Sequence, residues 1–539
     1  MNEPLSLAHL VRGRADTNPD LDVLTFETDG HTRVRTYGAL WTNALRLADA
    51  FSALGISRSD GFGLLLYNEP EFIESMIAAN VLGAVFVPLD PRLRGDRLAF
   101  MVADAGCRGV VCGADAVDAV LAVAPQVPSL EWVMVVGGAG HEGVRSGVRV
   151  VHAPDAANGA PPMRDIAVRD SADPMQIMYT SGTTGDPKGI VVPHARFVAA
   201  TAFGRELFDY RPDDRPYTGL SLTHGNAQFV TVAPALGQGL RAVISRRFTK
   251  SRLWDVIREH GCTTFSLLGG MATAIYSEPP SERDRDNPVR HVVSAGMPAA
   301  VWEAFRTRFG VDIIEFYAAM EGGMALNRAG EGPVGSCGRV VPQLIGRVLD
   351  PDGQELPSGT VGELCFRYAD GSPIPVQYLG NPEASAAKTV GGWLHSGDAV
   401  VMDADGWVYY RHRMGGGIRR NGEFLDPARI ERTVAECPEV SDVFVYGVPA
   451  ASGAPGEREP VAAILPADPA SFDPQAVFTW CRERLEPSHA PAYVQIVNDI
   501  PKTASQKPQE RFLRQMFDQH PDRVEREIAR AGTVTSTGK

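Results

Sequence analysis

The chain has 539 residues, of which 44% are hydrophobic and 22% charged, and its net charge is −13 from 52 basic and 65 acidic side chains. This is the composition of an ordinary globular protein with enough material for several domain-sized cores. An acidic chain without a run of Lys or Arg argues against nucleic-acid binding.

The seven cysteines are scattered singly, and none forms a Cys-x-x-Cys pair. This excludes a zinc site of that kind and a disulfide framework, and it favours a reducing cytoplasm. Residues 1–17 carry no apolar signal core, and the longest apolar stretch, Met76–Leu89, is too short to span a bilayer. We therefore expect a cytoplasmic protein without a membrane span, and the sequence leaves a homodimer open.

Helical and strand patterns alternate through the first half of the chain. Such βαβ alternation predicts largely parallel sheets covered by helices. Apolar spacing predicts helices at Tyr37–Leu54, Glu71–Leu82 and Arg97–Ala105, and strands at Gly61–Tyr67, Ala84–Leu89, Gly109–Cys112 and Val133–Val136.

From Gly335 to Tyr410, short strands and frequent Gly and Pro predict a smaller β-rich subdomain. After it come two helical patterns, near Pro427–Glu436 and Pro474–Leu485, and two strands, near Val443–Val448 and Pro460–Leu465. The fold class is thus α/β, with a large N-terminal domain of parallel-rich sheets, helices and a β-rich subdomain, followed by a small mobile α+β C-terminal domain. The predicted boundaries are 1–412, 413–530 and a disordered tail at 531–539.

The most informative stretch is 179–189, Tyr-Thr-Ser-Gly-Thr-Thr-Gly-Asp-Pro-Lys-Gly, which follows an apolar run. Its glycines let the backbone fold tightly, and successive N–H groups in such a turn form an anion-binding concavity. The Walker pattern does not fit, because no Ser or Thr follows a Gly-Lys pair. The stretch predicts a loop that binds nucleotide phosphates through Thr180, Ser181, Gly182, Thr183, Thr184, Gly185 and Lys188.

This string resembles the signature phosphate loop of the adenylate-forming superfamily, which contains acyl-CoA synthetases, peptide-synthetase adenylation domains and luciferases. The chain is most similar to the bacterial acid–CoA ligases. Further motifs match in family order over nearly the whole chain, namely Arg35–Tyr37, Gly83–Asp90, Thr223–Gln228, Ser294–Pro298, Tyr317–Glu321, Trp393–Asp398, Arg411–Glu431 and Pro501–Lys507.

The resemblance implies a nucleotide site that also includes Gly296, Ala318 and Met320. It implies that the ring of Tyr317 faces adenine and that Asp398 and Arg413 bind the ribose. A core role for Tyr317 and a solvated surface role for Arg413 remain open.

The resemblance also implies ATP, Mg²⁺ and coenzyme A as partners of a small-molecule carboxylic acid. Glu321 is the candidate metal ligand, and it joins His224 and Lys507 as the candidate catalytic residues. His224 could equally be a core histidine, and small residues in the acyl site could equally reflect tight packing. The candidate acyl-binding residues are His224, Asn226, Gln228, Gly296, Ala318, Gly322 and Gly323.

Two motifs depart from the family pattern. Position 320 is Met where the family usually has Thr, so a hydrogen-bond donor to phosphate is missing. The hinge has glycine at Gly415 and Gly416, where polar residues are usual. The candidate residues for coenzyme A follow the hinge at Arg419, Gly422 and Glu423.

These observations leave three functions open. The favoured one is an AMP-forming acid–CoA ligase that passes through an acyl-adenylate. The second is a variant with weakened adenylation, which mainly thioesterifies a supplied acyl-adenylate. The third is a non-catalytic protein that binds nucleotide or acyl-adenylate.

Overall fold

The computed structural model describes residues 4–138, 142–154, 163–180, 187–414, 418–420, 423–425, 427–450, 458–485, 489–503 and 508–526. The chain divides into two compact units. One comprises Met1–Arg347, Cys365–Ser396 and Asp403–Tyr409, and the other comprises Val348–Leu364, Gly397–Met402 and Tyr410–Lys539. The boundary predicted after residue 412 stays a prediction.

Helix ends follow ordinary capping rules. The Thr36 hydroxyl accepts a hydrogen bond from the Ala39 N–H at the start of the helix Tyr37–Ala53. The helix Pro70–Leu82 begins with a proline and ends before Gly83, whose φ is 66°. In the described residues the helices, numbered α1 to α14 in chain order, are Leu7–Thr17, Tyr37–Ala53, Pro70–Leu82, Gly95–Asp104, Val117–Val123, His194–Glu206, Ala233–Gln238, Leu253–His260, Gly269–Tyr276, Ala299–Phe309, Pro382–Ala387, Pro427–Ala435, Pro474–Arg482 and Glu510–Gln519.

The strands confirm the predicted alternation, with ends shifted by a few residues. Over the same residues the strands, numbered β1 to β27 in chain order, are Asp22–Thr28, His31–Thr36, Gly61–Leu65, Val85–Pro88, Cys107–Gly113, Trp132–Val136, Gly143–Arg145, Val148–His152, Pro174–Thr180, Lys188–Pro193, Pro216–Thr218, Ala242–Ser245, Thr264–Leu268, His291–Ala295, Asp312–Ala319, Gly322–Asn327, Arg339–Val340, Leu344–Leu349, Val361–Tyr368, Leu394–Met402, Val408–Arg413, Ile418–Arg420, Glu423–Leu425, Val440–Pro449, Arg458–Pro466, Tyr493–Ile496 and Val524–Arg526.

The first unit contains two large sheets. One has nine strands in the order β17-β16-β15-β14-β13-β11-β12-β1-β2, and its central pairs from β15 to β1 are parallel. The other has eight strands in the order β10-β9-β4-β3-β5-β6-β8-β7. One hydrophobic cluster takes side chains from both sheets and from α2 and α3, for example Phe26, Tyr37, Phe62, Phe72 and Val243. Burial on both strand faces explains why these strands read as continuous apolar runs.

The second unit contains a four-stranded sheet in the order β24-β25-β26-β27. Alternate residues of its strands point to opposite faces, so Val445 packs with α12 and α13 while Tyr446 packs with Leu513 of α14. The predicted mixture of helices and strands at the C-terminal end is confirmed.

Candidate active site

The predicted phosphate loop connects the two strands of an antiparallel hairpin. Strand β9 ends at Thr180, β10 begins at Lys188, and these two residues are register partners. The hairpin therefore brings both ends of the loop together. Ser181, Gly182, Thr183, Thr184 and Gly185 lie outside the described residues.

A tyrosine that the sequence did not single out joins two predicted site residues. The Tyr378 hydroxyl donates a 2.8 Å hydrogen bond to Oε1 of Glu321, and Lys188 Nζ lies 5.6 Å from the Tyr378 ring centroid. The Leu379 N–H donates to the Gly189 carbonyl, which fixes the tyrosine segment beside β10. The structure thus brings the candidate metal ligand close to the phosphate-loop strand.

Several predicted segments follow the carboxyl ends of neighbouring parallel strands. Strands β11, β13, β14 and β15 are parallel in that order, with Leu268 paired to Ala295 and Ser294 paired to Glu315. The carboxyl edge of an open parallel sheet is where such folds bind ligands. The loops that begin at this edge carry, in chain order, His224, Gly296 and Met320.

A buried carboxyl group fixes the Gly296 segment. Glu315 accepts hydrogen bonds from the N–H groups of Gly296 and Met297, the second at 3.1 Å. Burial raises the pKa of Glu315 to about 8, although both N–H donors oppose this shift. Two residues further on, the ring of Tyr317 lies 6.1 Å from that of Phe366, and the two planes are nearly parallel at 18°. Tyr317 is half-buried, so part of its surface is accessible.

The turn between β15 and β16 carries Met320 and Glu321, follows Ala318 near the end of β15, and is held by Arg196 of α6. The Arg196 guanidinium donates to the carbonyl of Met320 and, at 2.9 Å, to that of Ala319. It also lies 5.9 Å from the ring centroid of Phe229. Nothing in the local sequence around Arg196 indicated this role, because the carbonyls that it binds are more than 120 residues away.

The side chain of Met320 packs against the candidate acyl segment. A Cβ placed on Gly225 would lie 2.6 Å from Met320 Sδ, and Met320 also packs against a small apolar cluster that includes Tyr378. Methionine here fills space between segments, which a threonine could do only in part.

Backbone conformation and close packing explain why the first two residues of β16 are glycines. Their φ values are 134° at Gly322 and 81° at Gly323. A Cβ on Gly323 would lie 2.5 Å from the Phe366 ring, and one on Gly322 would lie 3.0 Å from Ile374 and Leu394. Both glycines are therefore closely packed, and their candidate role in acyl binding stays a prediction.

The acyl segment begins a helical stretch with a π-helix at Ala227–Val232, a rare form that is frequent at functional sites. His224 Nδ1 accepts a 3.1 Å hydrogen bond from the Asn226 N–H, so a neutral His224 carries its proton on Nε2. Gln228 is fully buried, donating to the Leu222 carbonyl at 2.8 Å and accepting from Gln176 at 2.9 Å.

In the second unit the two candidate ribose ligands form an ion pair. Arg413 Nη1 lies 3.0 Å from Oδ1 of Asp398, whose side chain is 9% exposed against 41% for Arg413. The Gly397 N–H donates to Glu363 at 2.7 Å, and the φ of Gly397 is 77°. These contacts fix the backbone that presents the Asp398 carboxylate.

The remaining predictions fall partly outside the described residues. Arg419 and Glu423 lie on the paired strands β22 and β23, in whose backbone register Arg419 is the partner of Phe424 and Arg420 the partner of Glu423. Residues Gly415, Gly416, Gly422 and Lys507 are not among those described. Their roles stay predictions.

The family model of AMP-binding enzymes matches residues 11–370, and that of the AMP-binding enzyme C-terminal domain matches residues 429–507. This chain belongs to the AMP-binding enzyme family. The predicted superfamily and the prediction of an enzyme of the AMP-forming acid–thiol ligase kind are confirmed.

Relatives of this AMP-binding enzyme include two named CoA ligases. A medium/long-chain-fatty-acid–CoA ligase, FadD17, of Mycobacterium marinum is 31% identical over 88% of this chain and 89% of the relative. A crotonobetaine/carnitine–CoA ligase of Salmonella typhi is 27% identical over 90% of this chain and 95% of the relative.

Solved structures share the fold of this AMP-binding enzyme. The anthranilate CoA ligase AuaEII in complex with anthranoyl-AMP has a TM-score of 0.82 at 23% identity, covering 97% of this chain and 99% of that one. A benzoate CoA ligase from Burkholderia xenovorans has a TM-score of 0.78 at 22% identity, covering 94% and 99%. The predicted fold class is confirmed. In the described part of the chain, no helix is long and apolar enough to cross a membrane.

Proposed function

We propose that the chain is an AMP-forming acyl-CoA ligase, which converts a carboxylic acid to its CoA thioester through an acyl-adenylate. The observation that carries the proposal is the placement of Tyr378 between Lys188 and Glu321, which makes a phosphate-loop cation and a carboxylate neighbours of one ring. Such a pair suits a magnesium-bound triphosphate, and the ligase relatives support the same reaction.

In the first half-reaction, a carboxylate oxygen attacks the α-phosphorus of ATP and the bond to the β-phosphate oxygen breaks, so pyrophosphate leaves. Both reactants are anions, so positioning and charge neutralisation supply most of the rate. We assign Lys188 and the loop to the phosphates, and Lys507 to the site where carboxylate and α-phosphate meet.

The residues present fit Mg²⁺. This ion is usually held by one or two carboxylates together with substrate phosphates, and Glu321 offers one carboxylate. The Tyr378 hydroxyl donates to one lone pair of the Glu321 carboxylate and thereby orients it, while other lone pairs of this carboxylate remain for an ion. When bound, Mg²⁺ would neutralise charge on the departing pyrophosphate.

In the second half-reaction, the thiol sulfur of coenzyme A attacks the acyl carbonyl carbon and AMP leaves. We assign Asp398 and Arg413 to the ribose, and Tyr317 to adenine, in both half-reactions. Arg419, Gly422 and Glu423 are assigned to coenzyme A, with Gly415 and Gly416 as the hinge that separates the two states.

The proposal is tested by incubating the purified protein with an acid panel, ATP and Mg²⁺, with and without coenzyme A. Pyrophosphate release that depends on the acid, and a thioester that depends on coenzyme A, are the expected results. Parallel reactions start from chemically prepared acyl-adenylates. Binding of adenylates without any thioester product would leave only the role of a binding protein.

Met320 favours a second candidate, in which adenylation is slow and thioesterification is retained. Its side chain packs beside Gly225, and a thioether donates no hydrogen bond to phosphate. In this case acid-dependent ATP–pyrophosphate exchange is slower than thioester formation from a supplied adenylate, and Met320→Thr raises the exchange rate. Exchange as fast as thioester formation in the unmodified protein would exclude this candidate.

We place the reaction in the cytoplasm, where ATP and coenzyme A are available. None of the seven cysteines, all of which the structure describes, forms a disulfide, and all are buried. Burial raises the pKa of Cys107 and of Cys262 to about 12, which keeps these thiols protonated and unreactive.

A further inference from the structure

The side-chain amide of Asn226 is buried without a hydrogen-bond partner. Asn226 is 7% exposed, and neither Nδ2 nor Oδ1 finds a donor or acceptor among the residues that the structure describes. A buried polar group that makes no hydrogen bond destabilises the folded state, and here both ends of one amide are unpaired. Such a group calls for a functional explanation.

The position of Asn226 connects it with the candidate acyl site. Its N–H is held by Nδ1 of His224, and the adjacent Gly225 faces Met320 Sδ. Three residues further along the same helical stretch, Phe229 lies under Arg196, which holds the Met320 turn. The Asn226 backbone is thus fixed beside the turn that carries the candidate metal ligand, Glu321.

A second buried amide has an unused acceptor in the same region. Gln176 of β9 is fully buried and donates to Gln228, but its Oε1 has no partner among the described residues. Gln176 lies on the strand that leads into the phosphate loop, and Gln228 is two residues beyond Asn226. Two elements at the site therefore bury amide groups, whereas a site for an alkyl chain would be lined by apolar side chains.

We propose that the acyl group of the substrate carries a polar substituent, a hydroxyl or an amide, that pairs with Asn226. This inference rests on the proposed ligase function and specifies its substrate class. An amide both donates and accepts, so a substituent with both capacities satisfies Nδ2 and Oδ1 together. An unsubstituted alkyl chain would leave both atoms unpaired, so simple fatty acids are poor substrates.

The test compares acids that differ only in one hydroxyl. Benzoate is compared with its monohydroxy isomers, and hexanoate and octanoate with their terminally hydroxylated analogues, as kcat/KM for thioester formation. At least one hydroxylated member should exceed its parent by about tenfold or more, because a site built to pair a polar group discriminates against analogues that lack it. Equal or better turnover of every parent acid would overturn the inference while leaving the ligase function intact.

Asn226→Leu removes the amide at similar volume. The preference for the hydroxylated acid should fall to about twofold or less, and turnover of the parent acid should rise. The melting temperature of the variant without ligands should stay equal or increase, because an unpaired polar group has been replaced by an apolar one. Loss of stability together with an unchanged preference would show that the amide serves the fold.

Asn68→Leu is the matched control for stability. Asn68 is also buried, at 1% exposed, but it is fully paired, because Nδ2 donates to the carbonyls of Leu220 and Ser245 and Oδ1 accepts from the Leu222 N–H. Its replacement should lower the melting temperature, in contrast to Asn226→Leu.

Binding of non-reactive acyl-sulfamate analogues of the adenylates, measured by calorimetry, separates the two proposals. A hydroxyl preference in binding without any thioester from any acid would support the polar pocket and overturn the ligase function. Equal affinity for both analogues would overturn the polar pocket.

Discussion

At the scale of single residues, the two candidate ribose ligands, Asp398 and Arg413, form an ion pair with each other. Asp398 is nearly buried, and the guanidinium 3.0 Å away compensates its charge. A carboxylate offers about four acceptor positions, so one ion pair does not by itself preclude hydroxyl donors. Proximity to Arg413 therefore does not prevent a role in ribose binding.

We predict that Asp398→Ala weakens AMP binding by about 1.5–3 kcal/mol, the usual value for a lost hydrogen bond to a charged group. Isothermal calorimetry with AMP measures the loss, and a melting curve confirms that the variant is folded. Arg413→Ala should have a smaller effect, because Arg413 is much more exposed. Unchanged AMP affinity in folded Asp398→Ala would remove this residue from the site.

Because the pKa of Glu315 is raised in the folded protein, we predict that stability depends on pH. Burial raises its pKa in the folded protein to about 8 from an ordinary value of 4.5, so the folded state keeps a proton that the unfolded state has lost. The contribution of Glu315 to the free energy of unfolding is fully present below the pKa that this group has in the unfolded state. It is lost as pH rises towards 8. Melting temperatures between about pH 5 and pH 8 should therefore fall more steeply in the native protein than in Glu315→Gln. Parallel curves for the two proteins would show that Glu315 is ionised in the folded state.

At the scale of elements, the site is assembled by contacts between helices and turns that are distant in sequence. Helix α6 follows the phosphate-loop hairpin, and its Arg196 reaches the carbonyls of the β15–β16 turn. The same β15–β16 turn presents Glu321 to Tyr378. One side chain thus connects the phosphate-loop region with the candidate metal ligand.

We predict that Arg196→Met lowers kcat/KM by more than tenfold and stability by about 1.5–3 kcal/mol, because two backbone carbonyls lose a charged donor. Arg205→Met is the matched control, since Arg205 is exposed on the same helix. The control should keep the activity and stability of the native protein. If both variants have the same kcat/KM and the same stability, the contact of Arg196 with the turn contributes to neither.

The glycines of β16 allow a second test at this scale. Gly323→Ala meets both a positive φ of 81° and the Phe366 ring at 2.5 Å. Gly330→Ala meets a similar φ of 74° in open space. We expect Gly330→Ala to cost about 1 kcal/mol of unfolding free energy and Gly323→Ala to cost a further 1–3 kcal/mol or so. Equal costs in urea unfolding would mean that the strand moves away from Phe366 without penalty.

At the scale of the whole molecule, the fold class and the order of most elements could be predicted from the sequence. Regular periodicity and local motifs carry that information. The assignment of Asp398 and Arg413 to one ribose stays a prediction, and their ion pair was not foreseen. Tyr378 and Arg196 could not be predicted, because their partners are distant in sequence and a lone Tyr or Arg has no local signature. The unpaired amide of Asn226 was equally inaccessible, since a missing partner is a property of the packed interior.

The last prediction concerns Lys507 of the final motif. Its charge is useful where carboxylate and α-phosphate meet, and it has no such task once the mixed anhydride exists. Lys507→Ala should therefore lower acid-dependent ATP–pyrophosphate exchange by about a hundredfold or more, while thioester formation from a supplied acyl-adenylate falls by less than about tenfold.

Lys502, five residues earlier, is the matched control, because its Nζ forms an ion pair with Asp442 at 2.5 Å. Lys502→Ala should lower stability without separating the two half-reactions. Equal losses of both half-reactions in folded Lys507→Ala would show that this lysine acts in binding or folding.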